Sequence, residues 1–128
     1  MKRPEQHLQR QCVGLLEHCR KWNVLEYFHV PNGGKRTRAE AAILIGQGVR
    51  AGVPDLVILP TAGVAMFAEL KAAKGKLSDA QEYWRDRLRE HEYPWALIRS
   101  VEDMAAFLVD NDVNATVVEK YEAPLWAS

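Results

Sequence analysis

Two carboxylates and a lysine stand out in the stretch GVPDLVILPTAGVAMFAELK, Gly52 to Lys71. Asp55 heads one apolar run, and Glu69 and Lys71 end the next. Residues two apart on a strand share a face, roughly 6.6 Å from each other. Glu69 and Lys71 therefore stand side by side, with Leu70 turned into the core between them. If TAG (Thr61–Gly63) turns the chain back on itself, Asp55 becomes the neighbour of Glu69 across the hairpin. Two adjoining carboxylates repel, and one lysine supplies one positive charge against two negative ones. A divalent cation restores the balance. Magnesium prefers hard oxygen ligands, often one or two carboxylates with water and phosphate, and the backbone carbonyl of Leu70 offers another. A cation held so would polarise a phosphodiester and lower the pKa of a bound water. Lys71 could orient that water or neutralise the transition state. The expected chemistry is phosphodiester hydrolysis without a covalent intermediate. Alone, an E-x-K triplet is an ordinary salt bridge; the Pro-Asp ahead of it raises its meaning.

The elements needed to hold these groups are visible in the periodicity. Leu8, Cys12, Leu15, Leu16 and Cys19 recur at helical spacing after Pro4. VLEYFHV, DLVILP, VAMFAELK and WALIRS read as strands. The second and third are nearly continuous in apolar residues, as for strands covered on both faces. RAEAAILIGQG reads as a helix closed by glycine. LSDAQEYWRDRLREHEY reads as a helix capped by Ser78, with Leu77, Ala80, Tyr83, Trp84, Leu88 and His91 as its apolar stripe and Trp84 in the core. SVEDMAAFLVDN is a further helix, and ATVVEKYEA an edge strand or extended arm. The expected architecture is an α/β domain over residues 1–111, a mixed sheet of about four strands flanked by helices, followed by an acidic tail or edge strand over 112–128. The hairpin pair is antiparallel. The last two strands, joined through a helix, are parallel.

Composition narrows the class. The chain has 128 residues, 48% hydrophobic and 27% charged, with zero formal net charge. Residues 1–100 hold 16 Lys+Arg against 11 Asp+Glu, whereas residues 101–128 set one lysine against six carboxylates. A basic body with an acidic tail is compatible with a nucleic-acid partner. No stretch of about 18 apolar residues offers a membrane span. The N-terminus lacks the apolar core of a signal peptide, so a cytoplasmic location is expected. Cys12 and Cys19, if on one helix, lie roughly 10 Å apart along its axis, too far for a disulfide.

The combined block GVPDLVIL…FAELKAAKGKLSDAQEYWRDRL resembles the virus-type replication-repair nuclease (VRR-Nuc) family of the P-D-(D/E)-x-K nuclease superfamily. The G-V-P-D strand, the E-L-K strand, the K-G-K loop and L-S-D-A-Q opening a helix all match, and HVPNGGKR upstream looks familial. The resemblance covers about Glu5 to Leu108. It implies a restriction-endonuclease-like core. It implies Asp55 and Glu69 as metal ligands, Lys71 as the catalytic lysine, Gln81 beside the active site, and Glu5 completing the metal shell. It implies magnesium- or manganese-dependent DNA cleavage by a homodimer acting on branched DNA such as Holliday junctions, in a bacterial or phage-infected cell, without an organic cofactor or membrane. Beside such a site, Lys35, Arg36, Arg38, Lys74 and Lys76 are candidates for phosphate contact. Gly33 and Gly34 are turn residues that allow close backbone approach to DNA, and His29 could face the cleft. The competing expectations are a nucleic-acid-binding module of the same fold with little cleavage, and a nucleotide phosphohydrolase. The latter lacks a helical E-x-x-E or a histidine-aspartate pattern.

Overall fold

The computed structural model describes residues 3–31 and 36–127. The first helix, α1 (Arg3–Lys21), carries Glu5 in its first turn and His18, Arg20 and Lys21 in its last, matching the helix dipole at both ends. Its apolar face is the one the periodicity marks: Leu8, Cys12, Leu15, Leu16 and Cys19 are all buried. Both cysteines are free thiols.

Strand β1 (Leu25–His29) is followed by α2 (Arg38–Gly46), and then by β2 (Leu56–Pro60) and β3 (Met66–Leu70). Helix α3 (Asp79–Glu90) leads to β4 (Trp95–Ile98), α4 (Val101–Asp110) and α5 (Ala115–Glu119). The sheet order is β1-β2-β3-β4, antiparallel at the first two pairings and parallel between β3 and β4. The parallel step follows because a helix returns the chain to the same end of the sheet.

The inner face of the sheet meets α1 and α4. Leu56, Ile58, Met66, Ala68, Leu70 and Ile98 are almost fully shielded there, with Met104 and Leu108 from α4. The outer face is covered unevenly. Helix α3 lies over the β4 side, where Trp95 and Glu69 are buried. Toward β1 the cover stops, leaving Phe28 and Leu59 exposed. The expectation of strands covered on both faces thus holds for β3 and fails for the outer side of β2.

Three other expectations change. Of the segment expected as an acidic tail or edge strand over 112–128, the described residues 112–127 form neither: α5 packs on α1 and α4, and Val113, Val117 and Val118 join the core. Asn114 caps α5 by accepting from the backbone N–H of Thr116 at 3.0 Å and of Val117 at 3.3 Å, which favours the helix over extension. In α3 only Leu88 is buried; Tyr83 and His91 face outward. Trp84 is partly exposed rather than a core residue. The helix covers one corner of the sheet, so its stripe narrows to what that corner needs. Among the described residues no helix is long and apolar enough to cross a membrane.

Candidate active site

The antiparallel register pairs Leu56 with Ala68, so Asp55, one residue before β2, faces Glu69 near the end of β3. The backbone N–H of Leu70 donates to Asp55 Oδ2 at 2.8 Å, which fixes one carboxylate oxygen and leaves the other. The carbonyl of Asp55 is held by two donors from the end of β1, Val30 N–H at 2.8 Å and His29 Nδ1 at 2.9 Å. Asp55 is therefore gripped from both neighbouring strands.

Glu69 is the buried charged side chain of the described residues, with 2% exposure. Gln81 Nε2 donates to its Oε1 at 2.8 Å. The orientation of that amide is set by the helix start. Gln81 Oε1 accepts from Ser78 N–H at 2.9 Å, while Ser78 Oγ accepts from Gln81 N–H at 3.2 Å. This capping box commits the carbonyl end of the amide to Ser78 and turns its NH2 toward Glu69. The second oxygen, Glu69 Oε2, is buried without a hydrogen-bond partner. Burial first, and then the negative charge of Asp55, hold the Glu69 carboxyl far above the ordinary carboxylate range; Lys71 pulls weakly the other way.

A buried carboxylate oxygen without a partner, next to a second carboxylate, is costly unless a proton or cation joins it. The donors are hard oxygens, the type that magnesium or manganese takes, so the residues fit such an ion. Among the described residues no three His, Cys, Asp or Glu side chains gather into a metal cluster. Glu5, half-buried in the first turn of α1, is accordingly not brought into the Asp55–Glu69 pair.

Lys71 follows β3, its N–H bonded to the Ile98 carbonyl at 3.1 Å. The loop after it is secured by Arg99, whose Nη1 donates to the carbonyls of Ala72 at 2.8 Å and Ala73 at 3.3 Å. A side chain at Gly75 would come within 3.2 Å of Lys71 Cδ, so the glycine leaves room for the lysine stem. Lys74 and Lys76 on this loop are exposed, as are Arg36 and Arg38 ahead of α2. Lys35, Gly33 and Gly34 lie outside the described residues. His29, besides holding Asp55, lines a cleft of about 700 Å3 along α1 with Gln6, Gln9, Arg10 and Glu17.

Two residues that spacing alone does not single out also build the site. Arg99 anchors the Lys71 loop, and Trp84 Nε1 donates to the Ala51 carbonyl at 3.0 Å, pinning the turn ahead of Asp55 to α3. At the same place Gly52 has φ +81°, and an added Cβ would lie 2.5 Å from the Ala80 backbone.

A profile of the VRR-NUC domain matches residues 4–102. The chain belongs to the VRR-NUC domain family. Solved structures share its fold, two of them as follows. One, described as a "VRR_NUC domain protein", superposes with a TM-score of 0.64 at 20% identity, covering 88% of this chain and 90% of its own. The other, a "VRR_NUC domain", gives 0.58 at 18% identity, covering 83% and 97%. A search of curated proteins finds no match. The resemblance read from the motif block is therefore correct, and the mixed sheet with its flanking helices is the α/β core of this nuclease family.

Proposed function

We propose that the chain is a metal-dependent DNA endonuclease that hydrolyses phosphodiester bonds and is selective for branched DNA such as Holliday junctions. The observation that carries this reading is the pairing of Asp55 with the buried Glu69, whose Oε2 receives no hydrogen bond from a protein N–H or O–H, two residues ahead of Lys71. Asp55 and Glu69, with the Leu70 carbonyl, would hold magnesium or manganese. When bound, such an ion supplies a Lewis acid for the phosphoryl oxygen and an acidified water.

The chain's own groups do the positioning. Gln81 keeps Glu69 in one orientation, and the Leu70 N–H keeps Asp55 in another. Lys71 offers its ammonium to the attacking water or to the charge that grows on the phosphate. Lys74, Lys76, Arg36 and Arg38 are exposed and suited to backbone phosphates; Lys35 belongs to the same proposal.

The test is cleavage of labelled four-way junction, flap, duplex and single-stranded DNA with magnesium, manganese or EDTA. Cutting is expected with either metal and not with EDTA. Asp55→Ala, Glu69→Ala and Lys71→Ala should each slow it by at least about 100-fold, and Gln81→Ala less. Wild-type rates in all three would remove the site assignment. Binding by the wild-type chain without cutting would favour the nucleic-acid-binding module. Symmetric cutting of two strands needs two sites, so the chain is proposed to act as a homodimer. Light scattering that shows monomer with and without DNA would end that part.

A further inference from the structure

We propose that the cleft between α2 and α3 is a binding site for an unpaired nucleobase of the DNA, an inference that rests on the nuclease reading. Helix α2 places no residue in the core, and Ile45 and Val49 at its C-terminal side are 69% and 43% exposed. Facing them on α3 is Tyr83, 48% exposed. Between lies a cleft of about 450 Å3 lined by Ile45, Val49, Arg50, Ala51, Ala80, Tyr83 and Trp84.

The chemistry of the lining selects the occupant. Arg50 lies over the Trp84 ring, 4.6 Å from its centroid, and 5.6 Å from that of Tyr83, and its Nη2 reaches Tyr83 Oη at 3.4 Å. Tyr83 and Trp84 meet edge to face at 5.8 Å. The walls are thus apolar and aromatic with one guanidinium, and no carboxylate is among the lining residues. Three other clefts of the described chain each include a carboxylate: Glu17 in the one along α1, Glu92 and Asp110 near Trp95, Glu17 and Glu122 by Tyr121. Aromatic rings topped by a guanidinium, with no carboxylate in the lining, offer a base a plane to stack on and its adjoining phosphate a cation, the pairing that sequence-tolerant single-strand binding uses.

Position ties the cleft to the site. Ala80 lines it, and the next residue, Gln81, donates to Glu69. Ala51 also lines it, four residues before Asp55. A base seated here lies about one helical turn from the residue that orients the buried carboxylate. In an intact duplex every base is stacked and paired, so filling the cleft costs an unstacking and unpairing that a nucleotide already unpaired, as at an open branch point, does not require.

The experiment measures fluorescence anisotropy of the full chain on two labelled duplexes, one perfect and one carrying a single unpaired adenine, with calcium replacing magnesium to slow cleavage. The wild type should prefer the second by at least about fivefold, the lower range of one stacked base. Tyr83→Ala and Tyr83→Leu should bring the ratio to about one with affinity for the perfect duplex kept, and Tyr83→Phe should restore the preference. No preference in the wild type overturns the proposal, as does an unchanged preference in Tyr83→Leu. An equal loss on both duplexes, with a change of assembly state by light scattering in Tyr83→Ala, also overturns it and makes the cleft a protein contact. If the wild type neither binds nor, with magnesium, cuts any DNA, the nuclease reading falls too. If it binds and cuts both duplexes alike, only the base site falls.

Discussion

Glu69 is the residue where folding and chemistry collide. The fold buries it against Asp55, so the metal-free protein keeps a proton there that the unfolded chain releases above about pH 4.3. Its folded-state pKa is raised. The associated stability is therefore complete in acid and is lost as pH climbs from the ordinary carboxylate value through the raised one. In EDTA, thermal melts should show the midpoint falling from about pH 5 upward, with a flatter profile for Glu69→Gln. Equal slopes in the two proteins would show that Glu69 is not the group responsible. Magnesium should raise the midpoint, and more so at higher pH, because the ion must displace that proton. Asp55, Glu69 and Lys71 were legible in the sequence because a tight hairpin leaves their neighbours little choice. The place of Gln81 beside the pair came only through the family likeness, and whether Glu5 joins the pair was not visible, since one helix gives no register against a sheet.

At the scale of elements, the site depends on how firmly two loops are bolted to helices. Arg99 holds the Ala72 and Ala73 carbonyls, so Arg99→Ala should loosen the loop carrying Lys74 and Lys76. KM for DNA is expected to rise several-fold, roughly the loss of one or two charge-assisted hydrogen bonds, with kcat changed less and Arg99→Lys recovering part of it. An unaltered KM would show that DNA binding does not depend on the Arg99 anchor. Gly52→Ala meets both a positive φ and the Ala80 backbone. It should destabilise by roughly 1–3 kcal/mol, read as a lower urea midpoint; an unchanged midpoint would show that the turn can shift without cost. Helices and strands were readable because their periods are local. The outward turn of Tyr83 and the partial exposure of Trp84 were not, because burial of a helix face depends on how much sheet lies beneath it.

The whole molecule closes its core with its C-terminal segment. Val113, Val117 and Val118 pack into the core with α1 and α4, and Tyr121 Oη lies where a Gly14 side chain would stand. Deleting residues 112–128 should thus cost at least about 2 kcal/mol, since it opens buried apolar surface, and lower the urea midpoint. An unshifted midpoint would restore the picture of a detached acidic tail. By itself the sequence determined the class of fold, the order of strands and helices as far as α4, and the motif block that names the family, because periodicity, turns and ligand spacing act over a few residues. Tertiary structure alone decided that the acidic end is part of the core, that the outer sheet face stays half open, that Glu69 is buried without a second partner, and that Arg50, Tyr83 and Trp84 share a cleft. Those facts come from surfaces meeting across dozens of residues, and burial is a property of the assembled surface rather than of any segment.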